Sequence, residues 1–144
     1  MDAFKLPLVL FGRLLLALMF LLSGYGKLVN IDGTAGYIGS VGLPFTTPLA
    51  VFAGAFEVLA ALALALGWKA RWTALALALF TLVASVVFHN FWALPADQAF
   101  VQQLMFMKNL SVAGGMLMVA ALGAGPASLD ARKLDANPPR SRNA

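Results

Sequence analysis

Four apolar runs, each about 20 residues long, constrain the fold of this chain more than any other feature. They cover approximately residues 8–28, 48–67, 72–92 and 102–122. With a rise of ~1.5 Å per residue, a helix of this length crosses a hydrocarbon core of ~30 Å. Lipid offers the backbone no hydrogen-bond partners, so such segments must be helical. Because 61% of the residues are hydrophobic and only 11% are charged, the sequence predicts an integral membrane protein.

Charge in the connecting segments predicts how the spans are oriented. Residues 29–47 and 93–101 contain no lysine or arginine, whereas both termini and the turn between the second and third spans are basic. Basic residues collect on the cytoplasmic side of a membrane, so we expect both termini to face the cytoplasm. The basic residues concerned are Lys5, Lys69, Arg71, Arg132, Lys133, Arg140 and Arg142.

The lengths of the connections predict the architecture. The short turn from Gly67 to Arg71 makes the second and third spans antiparallel neighbours. We therefore expect an all-α, up-down-up-down bundle of four transmembrane helices within residues 1–130. The glycine-rich segment 29–47 is predicted to be an interfacial loop or a short helix over the outer end of the bundle. Residues 131–144, which are charged and contain two adjacent prolines, are predicted to form a disordered cytoplasmic tail.

Ionisable side chains inside the spans share helix faces with small residues. Glu57, the only glutamate in the chain, lies in the middle of the second span among alanine and glycine neighbours. Transmembrane helices meet through small and polar residues, so these faces are expected to point inward. The depths of the side chains predict a polar pocket in the outer half of the bundle. Its members are Lys27, Glu57, His89, Asn90, Lys108 and Asn109.

A lone carboxylate near the midplane of a membrane is costly. We therefore expect Glu57 either to face a cation or to be protonated. Depth favours Lys108 as its partner, with Arg13 and Lys27 as alternatives if the helices tilt. Such a pair would either fix the register of the helices or line a functional pocket. Near the cytoplasmic side, Arg13 is predicted to pair with Asp130 or with a lipid phosphate.

The residue types present in the chain limit the reactions and cofactors that it could support. Catalytic candidates are Glu57, His89 and Lys108, with His89 as a proton donor or, alternatively, an interfacial anchor. The chain has no cysteine and one histidine, so we expect no metal site and no haem held by two histidines. No phosphate-binding loop or nucleic-acid surface is evident. A quinone is the one cofactor that the predicted pocket suggests, and the lipid bilayer is the partner that the four spans require.

Several motifs together resemble the DoxX family of bacterial four-span membrane proteins. They are GRLLLALMFLLSGYGKL, a loop ending in GLP, AGAFEVLAALALALGWKARWTALALALF, a histidine near the end of the third span, and GAGPASLD. The matching positions are Arg13, Gly24, Lys27, Gly42, Pro44, Glu57, Gly67, Arg71, His89, Gly125, Pro126, Ser128 and Asp130.

The resemblance covers roughly residues 8–130 and implies a location in the bacterial inner membrane. The family takes its name from a subunit associated with a terminal quinol oxidase, and its relatives include a thiosulfate:quinone oxidoreductase subunit. The resemblance thus implies a small subunit or partner of a membrane oxidoreductase complex. The alternatives are a non-enzymatic scaffold or assembly factor and, less favoured, a small-solute carrier. Whether the chain is itself an enzyme, and whether it forms homo-oligomers, stays open.

Overall fold

The computed structural model describes residues 2–136, which are helical and contain no strand. The elements are α1 (Asp2–Val29), α2 (Ile31–Ser40), α3 (Thr46–Leu66), α4 (Ala70–Phe88), a 3₁₀ turn (Phe91–Ala93), α5 (Ala96–Leu122) and α6 (Leu129–Ala136). Within this range, α1, α3, α4 and α5 are long and apolar enough to cross a membrane. The predicted all-α bundle of four transmembrane helices is therefore confirmed.

The helix bounds differ from the predicted spans at several ends. The helices α1 and α5 begin at Asp2 and Ala96, before the apolar runs, because polar residues outside the hydrocarbon core can continue a helix. The segment predicted as an interfacial loop or short helix contains the helix α2. Within the stretch predicted as a disordered tail, residues 131–136 belong to α6. Residues 137–144 lie outside the described residues.

Local sequence explains why the elements begin and end where they do. The side chain of Asn30 caps α2 by accepting a hydrogen bond from the Gly33 N–H at 3.1 Å. Gly67 ends α3 with a φ of 66°, a left-handed conformation that glycine adopts without steric cost. Asp130 caps α4, because its two carboxylate oxygens accept from the N–H groups of Lys69 and Ala70, each at 2.8 Å.

The spanning helices pack as two pairs, α1 with α3 and α4 with α5, and contact between the pairs is more limited. We call the end of the bundle that holds the Gly67–Lys69 turn the turn end, and the opposite end the α2 end. The main core is rich in alanine and also contains the fully buried Leu64, Leu77 and Met116. A second, smaller core buries Ala35 and Ile38 of α2 against Ala50 of α3, so α2 covers its end of the bundle.

Large apolar side chains cover the outside of the bundle. Leu22, Leu59 and Leu79, from three different spanning helices, are 62%, 67% and 65% exposed. An aqueous surface made of such residues would drive association, whereas lipid accommodates them. The exposed surface is therefore the lipid-facing surface that the sequence pattern predicts.

Two glycines allow the backbones of α1 and α3 to meet. A Cβ atom on Gly24 would lie 2.7 Å from the carbonyl oxygen of Gly54 and 2.8 Å from the Cβ of Glu57. On the opposing helix, a Cβ on Gly54 would lie 2.8 Å from a side-chain carbon of Leu28. Close approach through small residues gives transmembrane helices the packing contacts that hold them together.

We expect Gly24→Ala to destabilise the protein by about 1–3 kcal/mol, because the added methyl group would collide with backbone atoms of α3. Gly26→Ala is the matched control, since a Cβ there meets nothing within 4 Å. Alanine at that position should be neutral or stabilising, because it is the better helix former. Unfolding in detergent micelles measures both variants. Equal stability of the two would contradict the close contact.

Candidate functional site

A cavity of about 510 Å³ lies at the α2 end and is lined by residues from all four spanning helices and from α2. Most of the lining is apolar. The polar lining residues are Ser23, Lys27, Thr34, Tyr37, Glu57, Thr81, His89, Lys108 and Asn109. The structure thus brings the predicted pocket residues together, with the exception of Asn90. Because α4 ends at Phe88, the chain turns at Asn90 into the 3₁₀ turn and leaves the cavity wall.

Glu57 and Lys27 form a salt bridge on the wall of this cavity. The Lys27 Nζ lies 2.7 Å from Glu57 Oε2 and donates a second hydrogen bond to Ser23 Oγ, also at 2.7 Å. Glu57 is 4% exposed, although it lies in the middle of a span. Its charge is therefore met by a cation on the neighbouring helix, which offsets the cost of burying a carboxylate.

The prediction that Lys108 is the partner of Glu57 is wrong, and Lys27, one of the alternatives, takes that position. Lys27 lies close to Gly24 on α1, where α1 and α3 touch, so its ammonium reaches the carboxylate directly. Lys108 belongs to α5, in the other helix pair, and within the described part of the chain its one hydrogen-bond partner is the Met105 Sδ at 3.5 Å. Among residues 2–136 it forms no salt bridge.

Thr81 is a cavity residue that sequence reasoning did not assign to the site. It is 4% exposed, and its Oγ1 has no hydrogen-bond partner among the described residues. A threonine in a helix commonly returns its hydroxyl to the carbonyl four residues earlier, and Ser85 on the same helix does so, donating to the Thr81 carbonyl at 2.7 Å. The spacing of Thr81, Ser85 and His89 marks one helix face, but it does not tell which hydroxyl is left unpaired.

His89 lies on the cavity wall just beyond α4. Its Nδ1 is 2.7 Å from the side-chain oxygen of Gln102 at the start of α5. An amide oxygen only accepts, so Nδ1 carries the proton in this contact and Nε2 of the neutral ring is an acceptor. The contact fixes the orientation of the imidazole and joins α4 to α5.

At the turn end, Arg13 and Asp130 do not form the predicted ion pair. The guanidinium of Arg13, 3% exposed, donates to the carbonyl of Ala65 at 3.2 Å, to that of Ala127 at 2.7 Å and also to that of Ala124. Asp130 instead accepts from the backbone at the start of α4. Each charge is met by backbone groups, and these include the free carbonyls and N–H groups of helix ends.

The described residues contain no group of three histidine, aspartate or glutamate side chains that could hold a metal ion. The cavity offers a small molecule the donors and acceptors of its polar lining residues. Four apolar helices, a buried ion pair and a partly polar cavity define a small four-span integral membrane protein.

Comparison with known proteins agrees with this class. The DoxX family model matches residues 8–90. The chain is 35% identical to the inner membrane protein YphA of Escherichia coli strain K12 over 125 residues, which is 87% of this chain and 89% of the relative. It is 38% identical to the inner membrane protein YqjF of the same organism over 123 residues, 85% of this chain and 88% of the relative.

A more distant match is the ER-derived vesicles protein ERV29 of Saccharomyces cerevisiae, 25% identical over 132 residues, 92% of this chain but 36% of the relative. No solved structure matches the chain. This chain belongs to the DoxX family, and it is a multi-pass protein of the bacterial inner membrane.

Lys27→Met should destabilise the protein more than Lys27→Met combined with Glu57→Gln, because the single change leaves a buried carboxylate without its cation. We expect a double-mutant cycle, measured by unfolding in mixed micelles, to give a coupling energy of about 1–3 kcal/mol. Lys108→Met is the control, since it removes the same charge without breaking an ion pair, and should cost less than about 0.5 kcal/mol. Strictly additive losses for Lys27 and Glu57 would show that the pair is not coupled.

Arg13→Lys should lower the free energy of unfolding by about 2–3 kcal/mol, because an ammonium cannot reach carbonyls on both α3 and the segment after α5. Arg71→Lys is the matched control. Arg71 is exposed and donates to the carbonyls of Ala120 and Ala121, so its replacement should cost less than about 1 kcal/mol. Comparable losses in the two variants would argue against a special role for the buried arginine.

Proposed function

We propose that this DoxX-family protein is a small subunit or partner of a membrane oxidoreductase complex, and that its cavity contacts the headgroup of a quinone. The observation that carries the proposal is the cavity itself, about 510 Å³ in volume, lined mainly by apolar groups with a few polar ones among them. Sites for lipophilic cofactors commonly combine an apolar wall with a few placed polar groups. A quinone ring needs such a wall, and its carbonyl oxygens need the donors.

The proposed roles of the lining residues in quinone chemistry follow from their position and from the groups that they carry. Reduction of a quinone to a quinol requires two electrons and two protons. The chain has no cysteine and one histidine, so the two electrons would come from a partner enzyme. Glu57 and His89 are the proposed proton partners, because both are ionisable and line the cavity. Lys108 would position a carbonyl oxygen through its ammonium.

We further infer that both termini face the cytoplasm. The exposed Lys69 and Arg71 lie at the turn end, and contacts of Asp130 with the start of α4 bring the first residues of α6, including Arg132 and Lys133, to the same end. Collection of basic residues on one side supports a cytoplasmic turn end. The α2 end and the cavity would then lie in the outer half of the membrane.

A non-enzymatic scaffold or assembly factor is the second candidate, and the salt bridge is the observation that favours it. Lys27 and Glu57 join α1 to α3, so their charges have a packing role even with no ligand. In this reading the lipid-facing surface, rather than the cavity, would recognise other membrane proteins.

Quinone binding to the protein in nanodiscs tests the proposal. A short-chain ubiquinone or menaquinone should raise the unfolding temperature in a saturable way, since a ligand at 100 times its Kd stabilises by about 2.7 kcal/mol. Ala53 lines the cavity, so Ala53→Phe should fill it and abolish the shift in unfolding temperature. Val51→Phe on the same helix is the control, because Val51 is exposed and lies outside the lining.

Absence of a shift with either quinone, together with no oxidoreductase co-purified in gentle detergent, would contradict the proposed function. The same result would favour the scaffold, provided that the Lys27→Met, Glu57→Gln double variant still folds.

A further inference from the structure

Two hydrogen-bond donors on the cavity wall lack a strong partner among the described residues. The Thr81 hydroxyl is buried and unpaired. The Lys108 ammonium donates only to the thioether of Met105 within residues 2–136, and a thioether is a weak acceptor. Burying a hydroxyl without a partner costs free energy, so a ligand that accepts from Thr81 removes that cost. Lys108 is exposed, and its ammonium has donors available for the same ligand.

The other polar groups of the cavity are largely committed to one another. Lys27 donates to Glu57 and to Ser23, and His89 contacts Gln102. An ammonium has three donors and no acceptor. A ligand that satisfies Lys108 must therefore bring acceptor oxygens, either the carbonyl oxygens of a neutral ring or the oxygens of an anion.

The charges of the residues that line the cavity also favour a ligand with acceptor oxygens. Lys27 and Lys108 carry positive charge, and Glu57 carries the one carboxylate among the lining residues. Because Lys27 and Glu57 neutralise each other, the positive charge of Lys108 is not balanced by another residue of the lining. In surroundings of low polarity this excess favours a group with negative or partly negative oxygens.

The apolar part of the wall indicates where the rest of the ligand would lie. Phe52 of α3 and Val83 of α4 both line the cavity, and they are 62% and 55% exposed. The helices α3 and α4 are joined by a tight turn at the turn end, yet each packs mainly against another helix. An apolar tail can therefore lie between these helices and remain in lipid.

We propose that the cavity selects membrane amphiphiles whose headgroup presents acceptor oxygens, and that Thr81 and Lys108 hold these oxygens while the tail lies between α3 and α4. The inference rests on the proposed function in placing a membrane amphiphile in the cavity, and it adds the chemistry of the headgroup. The carbonyl oxygens of the quinone accept from Lys108 and Thr81, whereas each hydroxyl oxygen of the quinol is a weaker acceptor whose proton needs an acceptor of its own, and Lys108 has none.

Binding of three amphiphiles with the same decyl tail to the protein in zwitterionic nanodiscs tests this inference. They are a decyl quinone, its quinol kept reduced under anaerobic conditions, and a decyl carboxylate. We expect the quinone to bind at least about fivefold more tightly than the quinol. Lys108→Met and Thr81→Val should each weaken quinone binding, Lys108→Met by about tenfold. Both should reduce the preference over the quinol, and Lys108→Arg should retain it.

Two variants serve as matched controls. Lys69→Met removes a lysine at the turn end, and Ser111→Ala removes an exposed hydroxyl on α5 that donates to the Met107 carbonyl. Neither residue lines the cavity, so quinone affinity should be unchanged. Thr81→Val keeps the shape of the side chain, and Lys108 is exposed, so unfolding curves should show that both test variants fold.

The outcomes separate this inference from the proposed function. Quinone binding that is indifferent to both Lys108→Met and Thr81→Val would overturn the inference and leave the proposed function standing. Binding of the carboxylate alone, dependent on Lys108, would support the headgroup chemistry with an anion as its source and would contradict the quinone. Failure of all three amphiphiles to bind would overturn both proposals.

Discussion

The contact between Lys27 and Glu57 is the interaction on which the rest of the bundle depends. A carboxylate that is 4% exposed in the middle of a span requires a nearby cation to remain charged. Lys27 supplies that cation because Gly24 and Gly54 let α1 and α3 approach closely. The glycines and the charges therefore act together: a larger residue at the crossing would separate the backbones and move the ammonium away from the carboxylate.

At the turn end, backbone groups rather than a second charged side chain offset the cost of burying a charge. Arg13 is buried among carbonyls of α3 and of the segment after α5, and Asp130 is bound to the start of α4. Helix termini provide unpaired donors and acceptors and a partial charge of the appropriate sign. These contacts bind the C-terminal segment to the bundle, so that α6 begins at a defined place.

The sequence predicted the four spanning helices, but it did not predict which side chains contact each other across the bundle, and the reason is physical. Hydropathy and length report how deep a residue lies, and on depth Lys108 matched Glu57. Which helices touch depends on packing across the bundle, and the pairing of α1 with α3 brought Lys27 to the carboxylate. The Arg13–Asp130 prediction failed because residue types do not reveal free carbonyls. The sequence did not single out Thr81, since its unpaired hydroxyl is visible only in three dimensions.

The two ends of the bundle differ in how they are packed. Towards the turn end, alanines and fully buried side chains such as Leu64 and Met116 fill the space between the helices. At the α2 end the helix pairs leave a cavity, and its wall holds a hydroxyl and an ammonium that the surrounding helices do not satisfy. Valine in place of Thr81 would fill the same volume without the cost of an unpaired donor. An acceptor in the cavity would compensate the hydroxyl, so the proposed binding surface is assigned to the unpaired donors rather than to the ion pair.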